Sequence, residues 1–144
     1  MNLVIDANVL MKFFLPEVLS GQAAKILTQV EQGEIRLRAP DLIYPETGNI
    51  LWKKHRRKEL SRSEVEEISG SIESLPISIE PSKPLMSLAI ELGMVYGITV
   101  YDSMYMVVAK ISESALITAD RKLVEQISKT DYRKYVTWLG HYEG

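Results

Sequence analysis

The chain has 144 residues, 46% of them hydrophobic and 25% charged, with a formal net charge of −2 and no cysteine. That profile suits one globular domain with a single substantial core, and the near-neutral balance excludes a generally basic nucleic-acid coat while leaving room for a local basic strip. Without cysteine there is no disulfide framework, and the opening apolar run Leu3-Val4-Ile5 is too short for a signal peptide or a membrane span, so the expected location is the cytoplasm, away from membranes.

Leu3-Val4-Ile5 reads as a wholly apolar strand of the kind buried in a parallel sheet, and a helix begins near Val9. Gly21 to Gln32 predicts a helix closed by Gly33 in the helix-ending position. Ile35 to Ala39 is the second strand. After Pro40-Asp41 a helix runs through Trp52 into the basic stretch Lys53-Lys54-His55-Arg56-Arg57-Lys58. Ser63 with Glu66 spells a capping box for the next helix, Ile77 to Ile79 an edge strand, and Pro84 the first turn of a further helix. Tyr101 to Ile111 is apolar on most faces, which predicts a buried helix. Ala115 to Thr118, a helix over Leu123 to Ile127, and Tyr135 to Trp138 complete the series. Such alternation implies an α/β sandwich with a mainly parallel five-stranded sheet, one domain spanning 1–144 without repeat or linker.

Four acids stand out because each is set into or against an apolar segment: Asp6, Glu46, Asp102 and Asp120. Ligands of parallel sheets gather at the carboxyl ends of the strands. Asp6 directly follows the first strand and Asp120 follows the fourth by one residue, while Asp102 and Glu46 lie near helix starts, so all four can face one rim. Clustered carboxylates repel one another by a few kcal/mol per close pair, at an effective dielectric of about 20, and a cation removes that cost. Oxygen donors suit Mg²⁺ or Mn²⁺; zinc would want His or Cys, and the only histidines are His55 and His141. The pattern therefore points to metal-assisted cleavage of a phosphodiester. Each acid also has a plain structural use. Asp6 or Asn8 suits a cap for the helix near Val9, Asp120 a cap for the helix from Leu123, Asp102 a helix-dipole partner, and Glu46 an exposed first turn. Asn49, three residues after Glu46, shares its helix face and can orient the carboxylate or a water.

The runs Val4-Ile5-Asp6-Ala7-Asn8-Val9-Leu10, Tyr44-Pro45-Glu46-Thr47-Gly48-Asn49-Ile50-Leu51, Thr99-Val100-Tyr101-Asp102-Ser103-Met104-Tyr105 and Ile117-Thr118-Ala119-Asp120-Arg121-Lys122-Leu123 together resemble a PIN-domain nuclease, most of all the toxin subunits of VapBC-type toxin–antitoxin pairs. The resemblance extends to about Val124. It implies a PIN-like three-layer sandwich in which Asp6, Glu46, Asp102 and Asp120 are the acidic quartet and Asn8, Asn49 and Thr118 its polar neighbours. It further implies an Mg²⁺- or Mn²⁺-dependent endoribonuclease, usually a homodimer, inhibited by a small antitoxin whose tail enters the active-site groove. On this reading Asp6, Asp102 and Asp120 hold metal, and Glu46 holds a second ion or positions the attacking water. Gly48 departs from an average member; it weakens the helix by about 1 kcal/mol relative to Ala, which close packing would explain.

Lys53, Lys54, Arg56 and Arg57, with Arg121 and Lys122 beside Asp120, are candidates for attracting RNA phosphates; a solvated helix end is the simpler use of the first group. Tyr96, Tyr101 and Tyr105 suit the core or an interface better than base stacking. Leu10, Met11, Phe13 and Phe14 suit the core or a groove for a partner helix. Two other functions compete. A signalling module phosphorylated on an Asp after a strand leaves Glu46 and Asp102 without a role, and a non-catalytic PIN-fold RNA- or protein-binding domain has no need of all four acids.

Overall fold

A computed structural model describes all residues, Met1–Gly144. Its sheet holds β1 (Asn2–Ile5), β2 (Arg36–Pro40), β3 (Ile77–Glu80), β4 (Leu116–Thr118) and β5 (Val136–Trp138) in the order β3-β2-β1-β4-β5. Every pairing is parallel, so the expected mainly parallel sheet is wholly so. The connections are α1 (Ala7–Lys12) and α2 (Ser20–Glu31), then α3 (Ile43–Arg56) and α4 (Arg62–Ser74), then α5 (Met86–Tyr96) and α6 (Val100–Ile111), and finally α7 (Arg121–Ser128). Right-handed crossovers put α1 to α4 on one face and α5 to α7 on the other. The winding direction reverses between β1 and β4. That is the switch point at which open α/β sheets form a crevice.

Burial follows the strand pattern. Val4, Ile5, Leu37, Ala39, Leu116 and Ile117 are buried in the sheet, covered by Met106 and Val108 of α6 and by Val9 and Leu10 of α1. α6 is buried along its middle, but its ends surface: Tyr101 is 62% and Ile111 52% exposed, so the helix is less enclosed than its apolar sequence suggested. Gly33 ends α2 as expected, with a left-handed φ of 76°. No single helix is long and apolar enough to cross a membrane.

Two local expectations are corrected. The capping box of α4 is Ser61 with Glu64, not Ser63 with Glu66: Ser61 Oγ accepts from the Glu64 N–H, and Glu64 Oε1 accepts from the Ser61 N–H. Both pairs spell the motif, but only Ser61 is flanked by apolar residues, Leu60 before it and Val65 after, that pack into the core as a hydrophobic staple. Gly48, in turn, is not required by packing, since a Cβ there would meet nothing within 4 Å.

Candidate active site

Asp6 leaves β1 with an extended backbone and caps α1, its Oδ1 accepting from the Val9 N–H at 3.0 Å. Its Oδ2 accepts from the Thr118 hydroxyl at 2.6 Å, across the switch point from β4. The same hydroxyl oxygen accepts from the Asp120 N–H at 3.1 Å, and Asp120 Oδ1 caps α7 through the Leu123 N–H. Capping and clustering are thus one arrangement: the caps fix the rotamers of two acids while Thr118, fully buried, ties them together. Asp102 lies in the first turn of α6, behind the Thr99 cap. Glu46 lies in the first turn of α3, and Tyr105 donates to its Oε1 at 2.6 Å.

Asp6, Glu46 and Asp102 line one cavity of about 270 Å³ together with Asn8, Asn49, Lys53 and Tyr105. Asp120 and Thr118 are not in its wall. Asp120 stands beside it, close enough for its charge to act on Asp102. The candidate acids thus form a lining trio with a fourth at the edge. Tyr105 was expected in the core or an interface rather than at a base. It is buried, yet its hydroxyl serves Glu46, and the signal for this was its place three residues after Asp102 on the same face of α6.

The pocket is electrostatically costly. The Asp6 carboxyl is raised to about 6, chiefly by burial and then by the charges of Asp102 and Glu46, against the pull of the Thr118 and Val9 hydrogen bonds. Burial also raises Glu46, against the Tyr105 hydrogen bond and with the Asp102 charge; Asp102 is raised by burial and then by Asp120. Tyr105 is driven well above the ordinary phenol range by burial and by its carboxylate partner, so it stays a donor. Three acids resisting ionisation around one cavity are the environment a cation relieves. The donors are all hard oxygens, which fit Mg²⁺ or Mn²⁺. No three of the carboxylates draw close enough to encircle an ion alone, so an ion here would keep part of its water shell, as Mg²⁺ does.

The basic candidates divide. Lys53 enters the pocket wall. Lys54 instead bridges Glu17 at 3.6 Å and Glu59 at 3.8 Å, and the Arg56 guanidinium lies 5.3 Å from the centre of the Trp52 ring. Arg57 caps the end of α3, Lys122 is exposed, and Arg121 lies over Trp138 at 4.4 Å. Leu10 and Met11 are core. Phe13 and Phe14 are half-buried and pack edge to face, with Phe14 lining an open groove between α2 and α4.

A crevice lined by carboxylates at the switch point of a parallel sheet is where an open α/β fold of this class places its ligand. Residues 3–129 match the PIN domain family model, and the chain belongs to that family. It is 32% identical over 131 residues to Ribonuclease VapC3 of Pyrobaculum aerophilum, covering 88% of this chain and 95% of the relative. Among solved structures, PAE2754 from Pyrobaculum aerophilum has the same fold with a TM-score of 0.72 at 21% identity, covering 97% of this chain and 85% of that one. A toxin-antitoxin complex from Klebsiella pneumoniae matches with a TM-score of 0.59 at 16% identity, covering 93% and 94%. FitAB bound to the IR36 DNA fragment matches at 0.59 and 15%, covering 99% and 98%.

Proposed function

We propose that this protein is a divalent-metal-dependent endoribonuclease that hydrolyses RNA phosphodiesters and acts as the toxin of a type II toxin–antitoxin pair. The observation that carries the reading is the cavity shared by Asp6, Glu46 and Asp102, three carboxylates held above their ordinary pKa values at the switch point of the sheet. Likeness to Ribonuclease VapC3 along nearly its whole length supports the reaction class. Membership of the PIN family sets aside the phosphoacceptor module, and the intact quartet argues against a non-catalytic binding domain.

Asp6 and Asp102 would hold Mg²⁺ or Mn²⁺, with Asp120 reaching it through water. The ion supplies charge stabilisation for the phosphate oxygens and acidifies a bound water. Thr118 and the Val9 N–H hold Asp6 through Oδ2 and Oδ1, which fixes its carboxylate in one orientation at the cavity and leaves further lone pairs for an ion. Tyr105 binds one oxygen of Glu46 and leaves the other to orient the attacking water or a second ion. Asn8 and Asn49 add neutral donors and acceptors at the wall, and Lys53 offsets the negative field that would repel the substrate phosphate.

The groove bearing Phe14 supports an antitoxin segment as partner. Met86, Ile90 and Met94, exposed at four-residue spacing on α5 with Val95 beside them, support a homodimer across that helix. Ile90→Glu should then give a folded monomer by sedimentation velocity. The decisive test of activity is cleavage of a mixed RNA pool by purified protein. Cleavage must require added divalent cation and vanish with Asp6→Asn; a variant that cleaves at the wild-type rate refutes the assignment.

A further inference from the structure

We propose that Arg121, Trp138 and Glu125 form a subsite for one unpaired base of single-stranded RNA, guanine in preference to uracil, next to the acidic pocket; this rests on the ribonuclease reading above. Trp138 ends β5 in register with Thr118 of β4, the residue that holds Asp6. Neighbouring strands lie ~4.8 Å apart, so the backbone of Trp138 stands about two strand spacings, ~10 Å, from the strand that leads into Asp6. A strand of RNA lying over the pocket brings a flanking nucleotide there.

The subsite is a built one. The Arg121 guanidinium lies 4.4 Å from the centre of the Trp138 ring, and His141 meets that ring edge to face at 5.0 Å. Arg121 directly follows Asp120, which fixes the stack to the catalytic rim. Any side chain at position 140 would collide with the indole, so Gly140 is what allows the chain to pass it. Arg121 and Glu125, one turn apart on α7, line a cavity of about 190 Å³ together with Trp138 and His141. None of the chain's ion pairs engages Arg121 or Glu125.

These groups match a base. A guanidinium held this close over an indole leaves its outer face free as a plane on which an unpaired base can stack. Glu125 is acceptor-only. The Watson–Crick edge of guanine offers two adjacent N–H donors, which one carboxylate takes together. Uracil offers one N–H between two carbonyls, which a carboxylate repels. Arg121 was expected from sequence to act as a phosphate-attracting charge; its stacked position gives the plane, rather than the charge, the main part.

The test is binding of labelled single-stranded hexanucleotides by fluorescence anisotropy in chelator, where no cleavage occurs. Arg121→Lys keeps the charge and removes the plane, so affinity should fall about five-fold or more with an unchanged salt slope. Trp138→Ala should lose at least as much, and Glu125→Gln should equalise guanine- and uracil-containing strands. Arg121 is exposed, so its variant tests the stack even where Trp138→Ala folds poorly. Wild-type affinity in Arg121→Lys overturns the stack, and a retained guanine preference in Glu125→Gln overturns the base assignment. Wild-type protein that cleaves RNA but binds no hexanucleotide overturns the subsite alone; protein that neither binds nor cleaves overturns the ribonuclease reading with it.

Discussion

Replacing Asp6 by Asn should make the metal-free protein more stable at neutral pH, although Asp6 caps a helix. The Asp6 carboxyl titrates at about 6 in the fold against an ordinary value of 3.8. Each pKa unit corresponds to 1.36 kcal/mol, so keeping Asp6 ionised costs the fold about 3 kcal/mol. The sign follows from proton linkage. Below about pH 4 the residue is protonated in both states and contributes nothing. Between about 4 and 6 the folded state keeps a proton that the unfolded state has lost, so stability falls as pH rises, and above about 6 the whole cost is present. Asn keeps an oxygen for the Val9 N–H but loses the acceptor for the Thr118 hydroxyl, a loss of about 1 kcal/mol. The net gain at pH 7.5 is therefore about 2 kcal/mol, giving way at pH 4 to a loss of up to about 1 kcal/mol. Urea denaturation in chelator at the two pH values measures it. If Asp6→Asn is destabilised equally at both, Asp6 is an ordinary cap and the argument that it stores electrostatic cost for a cation fails.

The same cost predicts metal linkage: free Mn²⁺ at about 100 times its Kd should stabilise the wild type by about 2.7 kcal/mol in thermal melts, and Asp102→Asn should abolish the response. Metal affinity should weaken as pH falls through about 6, where Asp6 takes up a proton, which isothermal titration at pH 7.5 and 5.5 reads directly. Tyr105→Phe removes only the hydroxyl that holds Glu46, so kcat should fall about five- to ten-fold with little change in KM; an equal rise in KM would assign Tyr105 to substrate binding instead. Gly48→Ala fills open space in the middle of α3 and should raise Tm by about 3 °C, and a lower Tm would mean that the glycine has a packing role after all.

What the sequence made legible was whatever depends on neighbours in the chain. An acid placed directly after an apolar strand, as Asp6 is, projects from the carboxyl edge of a parallel sheet whatever else the fold does, and Asp102 after Thr99 must sit in a first helical turn. What stayed hidden depends on approach through space. Nothing near Glu46 announces Tyr105, which is 59 residues away, and nothing near Lys54 announces that Glu17 and Glu59 occupy it. Asp120 looks equivalent to Asp6 in sequence and caps a helix as Asp6 does, yet it stands one residue farther from its strand, beside the cavity rather than in its wall. Two capping boxes two residues apart are indistinguishable as motifs, and burial of Leu60 and Val65 decides between them.

On the reading proposed above, a divalent cation sits in the cavity of Asp6, Glu46 and Asp102 when RNA is cut. Crystals soaked in Mn²⁺ and measured at the manganese edge test it most directly. An anomalous peak bounded by Asp6 and Asp102, absent in Asp6→Asn crystals, is the expected result. A peak elsewhere, or none at Mn²⁺ concentrations that support cleavage, contradicts it.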